Sequence, residues 1–268
     1  MRVPDSERVK SFYDGTADRV WSFSPSKDYH VGLFHSEDEP LAVAQTRTVM
    51  YMADRLEPTE DDVLLDVGCG TGNAALQIAQ KFKCKIVGVN ISEKQLAIGE
   101  QLLSNSPMKT CVKLLKADAH HLPFKQGVFT AGYALESLMH MNRKRVFHQV
   151  CHVLRPGSRF VLCDWIVKKP LTAAEERTVN RLTMGSYLNM DQYTALMEDC
   201  GFVDVAVDDW TKLVEPTYTH WTTVTEEMER DIPEDWLDKI KDACQRLSEI
   251  AVEKLGYVQV YGRRDRLA

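Results

Sequence analysis

The stretch V-L-L-D-V-G-C-G-T-G-N, residues 63–73, decides the fold of this chain. Residues 63–67 are a largely apolar run without alternation, which is typical of a parallel strand covered on both faces. From Asn73 onward, apolar residues recur at helical spacing, so a helix is expected to follow at once. Three glycines lie between strand and helix, and glycine lets a ligand approach the backbone closely. The stretch predicts the first strand, ligand-binding turn and helix of an α/β fold.

The spacing of the glycines distinguishes two classes of ligand. A dinucleotide-binding turn needs G-x-G-x-x-G, but Asn73 stands where its third glycine would fall. Here the pattern is G-x-G-x-G, and Asp66 precedes it by two residues. This arrangement is typical of S-adenosylmethionine sites, with Asp66 near the ammonium group. We therefore predict this cofactor; the alternative is that the turn serves the fold alone.

Composition and charge exclude several classes of protein. The 268 residues are 44% hydrophobic and 27% charged, an ordinary globular balance. The net charge of −6 disfavours a general nucleic-acid surface. No apolar run approaches the roughly 18 residues of a membrane span, and the charged N-terminus does not resemble a signal peptide. We expect a soluble cytoplasmic protein with a small-molecule substrate, no nucleic-acid partner and no membrane span.

The seven cysteines include no C-x-x-C pair, so reduced packing thiols are expected. His148, Cys151 and His152 have a spacing that would suit a metal on one helical face. The apolar residues of that helix lie on the other side, so we interpret the three as a solvated face and predict no metal.

Four further strands are predicted in the first two thirds of the chain, over residues 85–90, 112–117, 130–135 and 159–163. Residues 154–157 are expected to be a helix stop and turn. The residues at or just after the four strand ends are polar: Asn90, Asp118, Glu136 and Asp164. Ligands lie at the carboxyl ends of the strands in open parallel sheets. We therefore predict one shared site, with Asn90 at the ribose position and Asp118 and Ala119 contacting adenine. The alternative for Asp118 is a simple loop acid.

The segments on either side of this core differ from it. Residues 1–57 hold many aromatic residues and a predicted helix over 41–56, which suggests a lid arm; the alternative is that the aromatics only anchor the arm. Helices are predicted over residues 171–188, 190–200, 219–230 and 233–255, and strands over 202–207 and 257–261. We expect an N-terminal lid arm over 1–57, a cofactor-binding core over 58–168, and a helical substrate cap with the last two strands over 169–268.

With these elements placed, the chain resembles the class I S-adenosylmethionine-dependent methyltransferases over nearly its full length. The matching residues are F-Y-D at 12–14, H-V-G-L-F at 30–34, residues 65–72, D-A at 118–119, L-P-F at 122–124, A-L-E-S-L at 134–138, H-M at 140–141 and residues 153–157. The likeness is to the branch with sugar O-methyltransferases and tocopherol, sterol and prenyl C-methyltransferases. It implies a doubly wound, mostly parallel sheet of seven strands with the last antiparallel.

The glycine turn, the strand ends and the resemblance together indicate the site residues. The cofactor-binding residues would be Tyr13, Asp66, Gly68, Gly70, Gly72, Asn90, Ile91, Gln95, Asp118, Ala119 and Ala134. The catalytic candidates, in order, are Glu136, Asp164 and His140. Glu136 begins a stretch similar to the E-S-T-M of prenyl diphosphate C-methyltransferases, where the glutamate faces a cationic intermediate.

One departure bears on the mechanism. Sugar O-methyltransferases of this group have A-L-E-S-L-H-H-M, in which the first histidine is the expected base, paired with an acid at the position of Asp164. Here Met139 replaces that histidine, and His140 is expected to point elsewhere.

The predicted function is methyl transfer to oxygen or carbon of a small, largely apolar metabolite of secondary metabolism. The alternatives are N-methylation of a small amine, and a protein of this fold that retains the cofactor structurally for another reaction such as cyclisation. A nicotinamide oxidoreductase is disfavoured by Asn73 and Asn90.

Overall fold

The computed structural model describes residues 5–23, 30–220 and 234–266. Within these ranges, seven strands form one sheet in the order β3-β2-β1-β4-β5-β7-β6. The strands are β1 (Val63–Val67), β2 (Lys85–Asn90), β3 (Val112–Lys116), β4 (Phe129–Leu135), β5 (Leu154–Val167), β6 (Phe202–Asp209) and β7 (Leu255–Arg264). The helices are α1 (Ser6–Phe23), α2 (Leu41–Leu56), α3 (Asn73–Phe82), α4 (Glu93–Ser104), α5 (Arg143–Val153), α6 (Ala173–Thr183), α7 (Met190–Asp199), α8 (Thr211–Val214) and α9 (Glu234–Lys254).

The pairing confirms the predicted doubly wound sheet. β1 pairs in parallel with β2 and β4, β2 with β3, and β4 with β5, whereas β7 runs antiparallel to both β5 and β6. The chain winds outward from β1 to β3 and then returns to β4 on the other side of β1. Such a reversal leaves a crevice at the carboxyl ends of the strands, which is where ligands bind in this class of fold.

Both faces of the sheet are covered, as the largely apolar run without alternation in β1 predicted. Leu64 packs in one buried cluster together with residues of α2 and α3. Leu65, its neighbour, packs in a second cluster with residues of α5 and α7. Because successive side chains of a strand point to opposite faces, β1 needs apolar residues at both positions.

Three elements differ from the sequence-based expectations. The arm contains the helix α1, which was not predicted. β5 begins at Leu154, so the expected turn at residues 154–157 is an irregularity in its pairing with β4, and β5 also continues to Val167. α6 ends at Thr183 because Met184 takes a left-handed conformation with a φ of 53°. The predicted helix over 219–230 falls almost wholly outside the described residues.

Candidate active site

A cavity of about 490 Å³ lies at the carboxyl ends of β1 to β4, and α1 contributes to its opposite wall. The predicted site residues that line it are Tyr13, Asp66, Gly68, Gly70, Asn90, Ile91, Gln95, Asp118, Ala119, Glu136 and His140. Gly72, Ala134 and Asp164 are not among its lining residues. The geometry thus brings most of the predicted residues to one chamber, although they come from several strands and helices.

The three glycines of the turn all have positive φ, but their surroundings differ. A Cβ atom on Gly68 would lie 2.4 Å from Cβ of Ser137, and one on Gly72 would lie 2.7 Å from Cδ2 of Leu114. A Cβ atom on Gly70 would meet no atom within 4 Å. Packing therefore excludes a side chain at Gly68, and at Gly72 a side chain would displace the end of Leu114, whereas Gly70 leaves open space at the cavity wall.

Asp66 is a buried acid at this turn. Its side chain is 2% exposed, and Oδ2 accepts a hydrogen bond of 2.9 Å from the hydroxyl of Tyr133. Burial raises the pKa of the carboxyl to about 7, and the Tyr133 bond opposes this only in part. A cation brought into the cavity beside Asp66 would favour its ionised form.

Asn90 holds the turn from the end of β2. Its Nδ2 donates to the carbonyl of Gly70 at 3.0 Å and to Oε1 of Gln95 at 2.9 Å. Its Oδ1 accepts from the N–H of Ile91 at 2.8 Å. Both amide hydrogens are therefore used within the protein, and the oxygen is the atom of Asn90 that a ribose hydroxyl could reach.

α1 is attached to the body at two points around the cavity. Oδ1 of Asp14 accepts from Oγ of Ser92 at 2.7 Å and from the N–H of Lys94 at 3.3 Å, at the start of α4. The neighbouring residue, Tyr13, bonds to His140 at 2.7 Å. The helix therefore bridges the loop after β2 and the loop after β4.

His140 is held in one tautomer. Its Nδ1 lies 2.9 Å from the carbonyl of Met184, and because a carbonyl only accepts, Nδ1 carries the proton. The other nitrogen, Nε2, therefore accepts from the Tyr13 hydroxyl. Burial lowers the pKa of His140 to about 4, so the ring is neutral at physiological pH. The ring lines the cavity, which corrects the expectation that His140 points elsewhere.

Glu136 follows β4 in a left-handed conformation with a φ of 49°, which is uncommon for a residue other than glycine. Oε1 accepts from the N–H of Val31 at 2.8 Å, and Oε2 accepts from the indole N–H of Trp165 at 3.2 Å. Burial raises the pKa of this carboxyl, while these bonds and the nearby Tyr257 hydroxyl oppose the rise. Glu136 is thus a fixed carboxylate at the cavity wall.

The predicted position of Asp164 at a strand end is wrong, because β5 continues three residues further, to Val167. Asp164 is fully buried; it accepts from the Tyr193 hydroxyl at 2.5 Å and lies 4.0 Å from Nη2 of Arg143. Arg143 also donates to Oγ of Ser186 at 3.1 Å. Asp164 therefore supports the loop after α6 from behind instead of facing the cavity.

The other wall of the cavity had little position-specific signal in the sequence. This wall is formed by Met139, Trp165, Leu182, Thr183, Tyr187, Leu247 and Leu255. Its side-chain polar groups are engaged: the Tyr187 hydroxyl donates to Oγ1 of Thr183 at 2.6 Å, and the indole N–H of Trp165 donates to Glu136. The wall therefore offers a chiefly apolar surface. The sequence features that pointed to it were Met139, in the place of the expected histidine, and the aromatic content of the C-terminal third.

Within the described ranges, no three histidine, cysteine or acidic side chains are grouped so that they could hold a metal ion. None of the helices in the described part of the chain is both long and apolar enough to cross a membrane.

Comparison with known proteins agrees with this geometry. Residues 65–162 match the family profile described as a methyltransferase domain. The 27-O-demethylrifamycin SV methyltransferase of Amycolatopsis mediterranei (strain S699) is 32% identical over 238 residues, which are 85% of this chain and 85% of that protein. Methyltransferase GfsG of Streptomyces halstedii is 31% identical over 219 residues, which cover 79% of this chain and 78% of that protein.

A solved structure gives the same fold. The crystal structure of the [4+2]-cyclase SpnF has a TM-score of 0.88 and covers 99% of this chain and 98% of that chain, with 20% identity. At this identity the likeness concerns the fold alone.

Proposed function

The chain belongs to the class I S-adenosylmethionine-dependent methyltransferases of small molecules, and we propose that it methylates a hydroxyl oxygen of a largely apolar acceptor, with His140 as the final proton acceptor. The observation that carries this proposal is the neutral His140 ring, whose unprotonated Nε2 is at the cavity wall beside Tyr13.

The cavity residues fit the cofactor. Open space at Gly70 and the buried carboxyl of Asp66 suit its aminoacyl part. We assign the ribose to Asn90 and Ile91 and the adenine to Asp118 and Ala119. Gln95 holds Asn90 from the first turn of α4. We further propose residues 1–57 as a lid arm, 58–168 as the cofactor-binding core and 169–268 as the helical cap with the last two strands.

When bound, S-adenosylmethionine supplies a methyl group on a positively charged sulfur. The protein has to align the acceptor oxygen with it, exclude water and remove one proton. Alignment alone can contribute roughly 7–11 kcal/mol to lowering the barrier. The apolar wall and α1 provide the exclusion of water.

Tyr13 and His140 remove the proton. The acceptor hydroxyl donates to the oxygen of Tyr13, and the Tyr13 proton passes to Nε2 of His140. Throughout, Nδ1–H of His140 keeps its hydrogen bond to the carbonyl of Met184. One proton thus leaves the acceptor and one imidazolium forms. A histidine with a pKa of about 4 is a weak base. A weak base is sufficient, because the acceptor oxygen becomes a strong acid once it carries both its proton and the methyl group.

Methylation at carbon is the second candidate, and Glu136 favours it. Its carboxylate bonds the indole of Trp165, so a carboxylate and an aromatic ring lie together at one wall. Such a wall attracts a cation. An alkene acceptor becomes cationic on methylation and would then lose its proton to Glu136 or His140.

The test is methyl transfer to a panel of apolar alcohols, phenols and alkenes, with product analysis by mass spectrometry. For an oxygen acceptor, His140→Gln is expected to lower kcat by about 10²- to 10⁴-fold. Its affinity for S-adenosylhomocysteine should stay unchanged. His35→Gln is the matched control, because His35 is an exposed histidine that bonds Tyr51 at 3.3 Å. Parent rates for both His140→Gln and Tyr13→Phe would contradict the proposed proton path.

A location in the cytoplasm is part of the proposal. The six cysteines whose side chains are described are free thiols, which suits a reducing compartment.

A further inference from the structure

The turn after β3 contains a histidine that the proposed reaction does not use. Residues Ala119–His121 form a short 3₁₀ helix, and Asp118 caps it. Asp118 and His120 both line the cavity. The side chain of His120 is 12% exposed and that of Asp118 is 38% exposed, so the imidazole is the more enclosed group.

Both hydrogen bonds on the Asp118 carboxylate fall on one oxygen. Oδ1 accepts from the backbone N–H of His120 at 2.9 Å and from Nδ1 of the same residue at 2.6 Å. Among the described residues, no hydrogen bond is made to Oδ2. One oxygen of Asp118 is thus committed to the turn, and the other remains available to a ligand in the cavity.

The second nitrogen of the ring fixes its orientation. Nε2 of His120 accepts from the backbone N–H of Asn142 at 2.9 Å. Asn142 is the N-cap of α5, and its own side chain accepts from the N–H of Arg145. A ring that donates at one nitrogen and accepts at the other, on opposite sides, can tie the end of β3 to the start of α5. Among neutral side chains, histidine alone carries a donor and an acceptor nitrogen on one rigid ring.

We propose that His120 is a positioning residue that holds Oδ2 of Asp118 toward the purine and thereby sets the selectivity of the site for a 6-amino group. The inference rests on the proposed function, in which Asp118 contacts the adenine. A carboxylate oxygen accepts a hydrogen bond from an amino group but repels a carbonyl oxygen in the same place. Without the His120 bonds, the carboxylate can rotate toward solvent, and this discrimination weakens.

The experiment compares two ligands and four proteins. The ligands are S-adenosylhomocysteine and S-inosylhomocysteine, in which oxygen replaces the 6-amino group. Calorimetry gives the ratio of their dissociation constants. For the parent protein we expect S-adenosylhomocysteine to bind at least about tenfold more tightly, since hydrogen bonds to charged groups have this magnitude. Thermal unfolding verifies that each variant is folded.

The variants separate the two bonds of the ring. His120→Phe keeps a ring and removes both nitrogens, and the selectivity ratio should fall to about threefold or less. His120→Asn places an amide N–H close to the position of Nδ1, so it should keep most of the selectivity while losing the bond from Asn142. His121→Ala is the matched control, because this neighbouring histidine is exposed and does not line the cavity. Should His120→Phe not fold, His120→Ala makes the same test without added bulk.

The outcomes distinguish this inference from the proposed function. A parent-like ratio in His120→Phe, or in the Ala variant, would overturn the inference and leave the cofactor assignment intact. Equal binding of both ligands by the parent protein would overturn the hydrogen bond from the 6-amino group to Asp118, and with it the role of His120. Failure of the parent protein to bind either ligand would overturn the proposed cofactor site as well.

Discussion

The two sides of the cavity are held by bonds of very different range along the chain. On the cofactor side, Asn90 bonds Gly70, Gln95 and Ile91, which lie 20, 5 and 1 residues away. On the acceptor side, the bond from Val31 to Glu136 spans 105 residues and the bond between Tyr13 and His140 spans 127. The glycine turn is therefore held largely by neighbouring residues, apart from the bond between Tyr133 and Asp66, which spans 67 residues, whereas the acceptor side forms only once distant elements have packed.

This difference predicts which property a substitution on each side should affect. A change on the cofactor side should alter binding and leave the acceptor groups in place. A change on the acceptor side should alter turnover and leave cofactor binding in place. Substitutions on each side test whether cofactor binding and turnover are affected separately.

The largest effect is expected from Gly70→Val. The side chain would enter the open space at the cavity wall, where a Cβ meets no protein atom within 4 Å. Binding of S-adenosylhomocysteine in calorimetry should be abolished. The left-handed conformation should lower the free energy of unfolding by about 1–2 kcal/mol, so the protein should remain folded.

Gly15→Ala is the control for this variant. A Cβ atom on Gly15 would likewise meet no atom within 4 Å, but the φ of Gly15 is not in the left-handed region. This change should leave cofactor affinity at the parent value. Unaltered affinity in Gly70→Val would show that the cofactor does not lie against this turn.

Glu136→Gln should have the next largest effect. It keeps the shape of the side chain and removes its charge, so kcat should fall by about 10²-fold if the reaction develops positive charge at this wall. Cofactor affinity should change little. Glu39→Gln, at a partly buried acid that pairs with Arg47 and does not line the cavity, is the control. A loss in affinity that equals the loss in kcat would break the proposed division, because Glu136 would then belong to the cofactor side.

The dependence of cofactor affinity on pH should be smaller. Burial raises the pKa of Asp66 to about 7, so the ligand-free protein holds this proton up to neutral pH. The protonated carboxyl contributes to the free energy of unfolding, and this contribution is lost as the pH rises through 7. Pairing with an ammonium group requires the ionised form. S-adenosylhomocysteine should therefore bind about tenfold more weakly at pH 6 than at pH 8.

Titration calorimetry across this range measures the effect, and Asp66→Asn should remove it. Affinity in the parent protein that does not change between pH 6 and pH 8 would separate Asp66 from the ammonium group.

The smallest effect is expected from Tyr187→Phe. The hydroxyl of this cavity tyrosine donates to Thr183, so it is satisfied within the wall. Removing it should change kcat by about threefold or less, since a neutral hydrogen bond contributes only about 0.5–1.5 kcal/mol. Steady-state kinetics compares the kcat of Tyr187→Phe with that of Tyr13→Phe. A loss as large as that in Tyr13→Phe would show that the apolar wall takes part in the proton path.

The sequence predicted the local parts of the molecule well. The run at residues 63–73 indicated β1, the glycine turn and α3, because strand, turn and helix signals all lie within one short segment. The seven-stranded sheet followed from the resemblance and from the last two strands. Asp66 and Gly70 both line the cavity, and both lie in this predicted segment.

Local sequence patterns did not predict the parts that depend on residues distant in the chain. Asp164 was placed at a strand end, but pairing with β7 extends β5 past it, and a strand boundary set by a distant partner has no local signal. His140 was expected to point elsewhere because a regular helical turn was assumed. The segment is instead a 3₁₀ turn, and it is fixed by contacts to Tyr13 and Met184. The α1 helix is similarly held by Ser92 and His140, neither of which is near it in sequence.

The two attachments of α1 also bear on the order of events in a catalytic cycle. The helix spans from Ser92, beside the proposed ribose position, to His140, beside the proposed reacting atoms. Opening of either attachment would widen the way to a ligand beneath the helix. We therefore expect the cofactor to bind before the acceptor, its demethylated form to leave last, and the opening of α1 to set the residence time of the product.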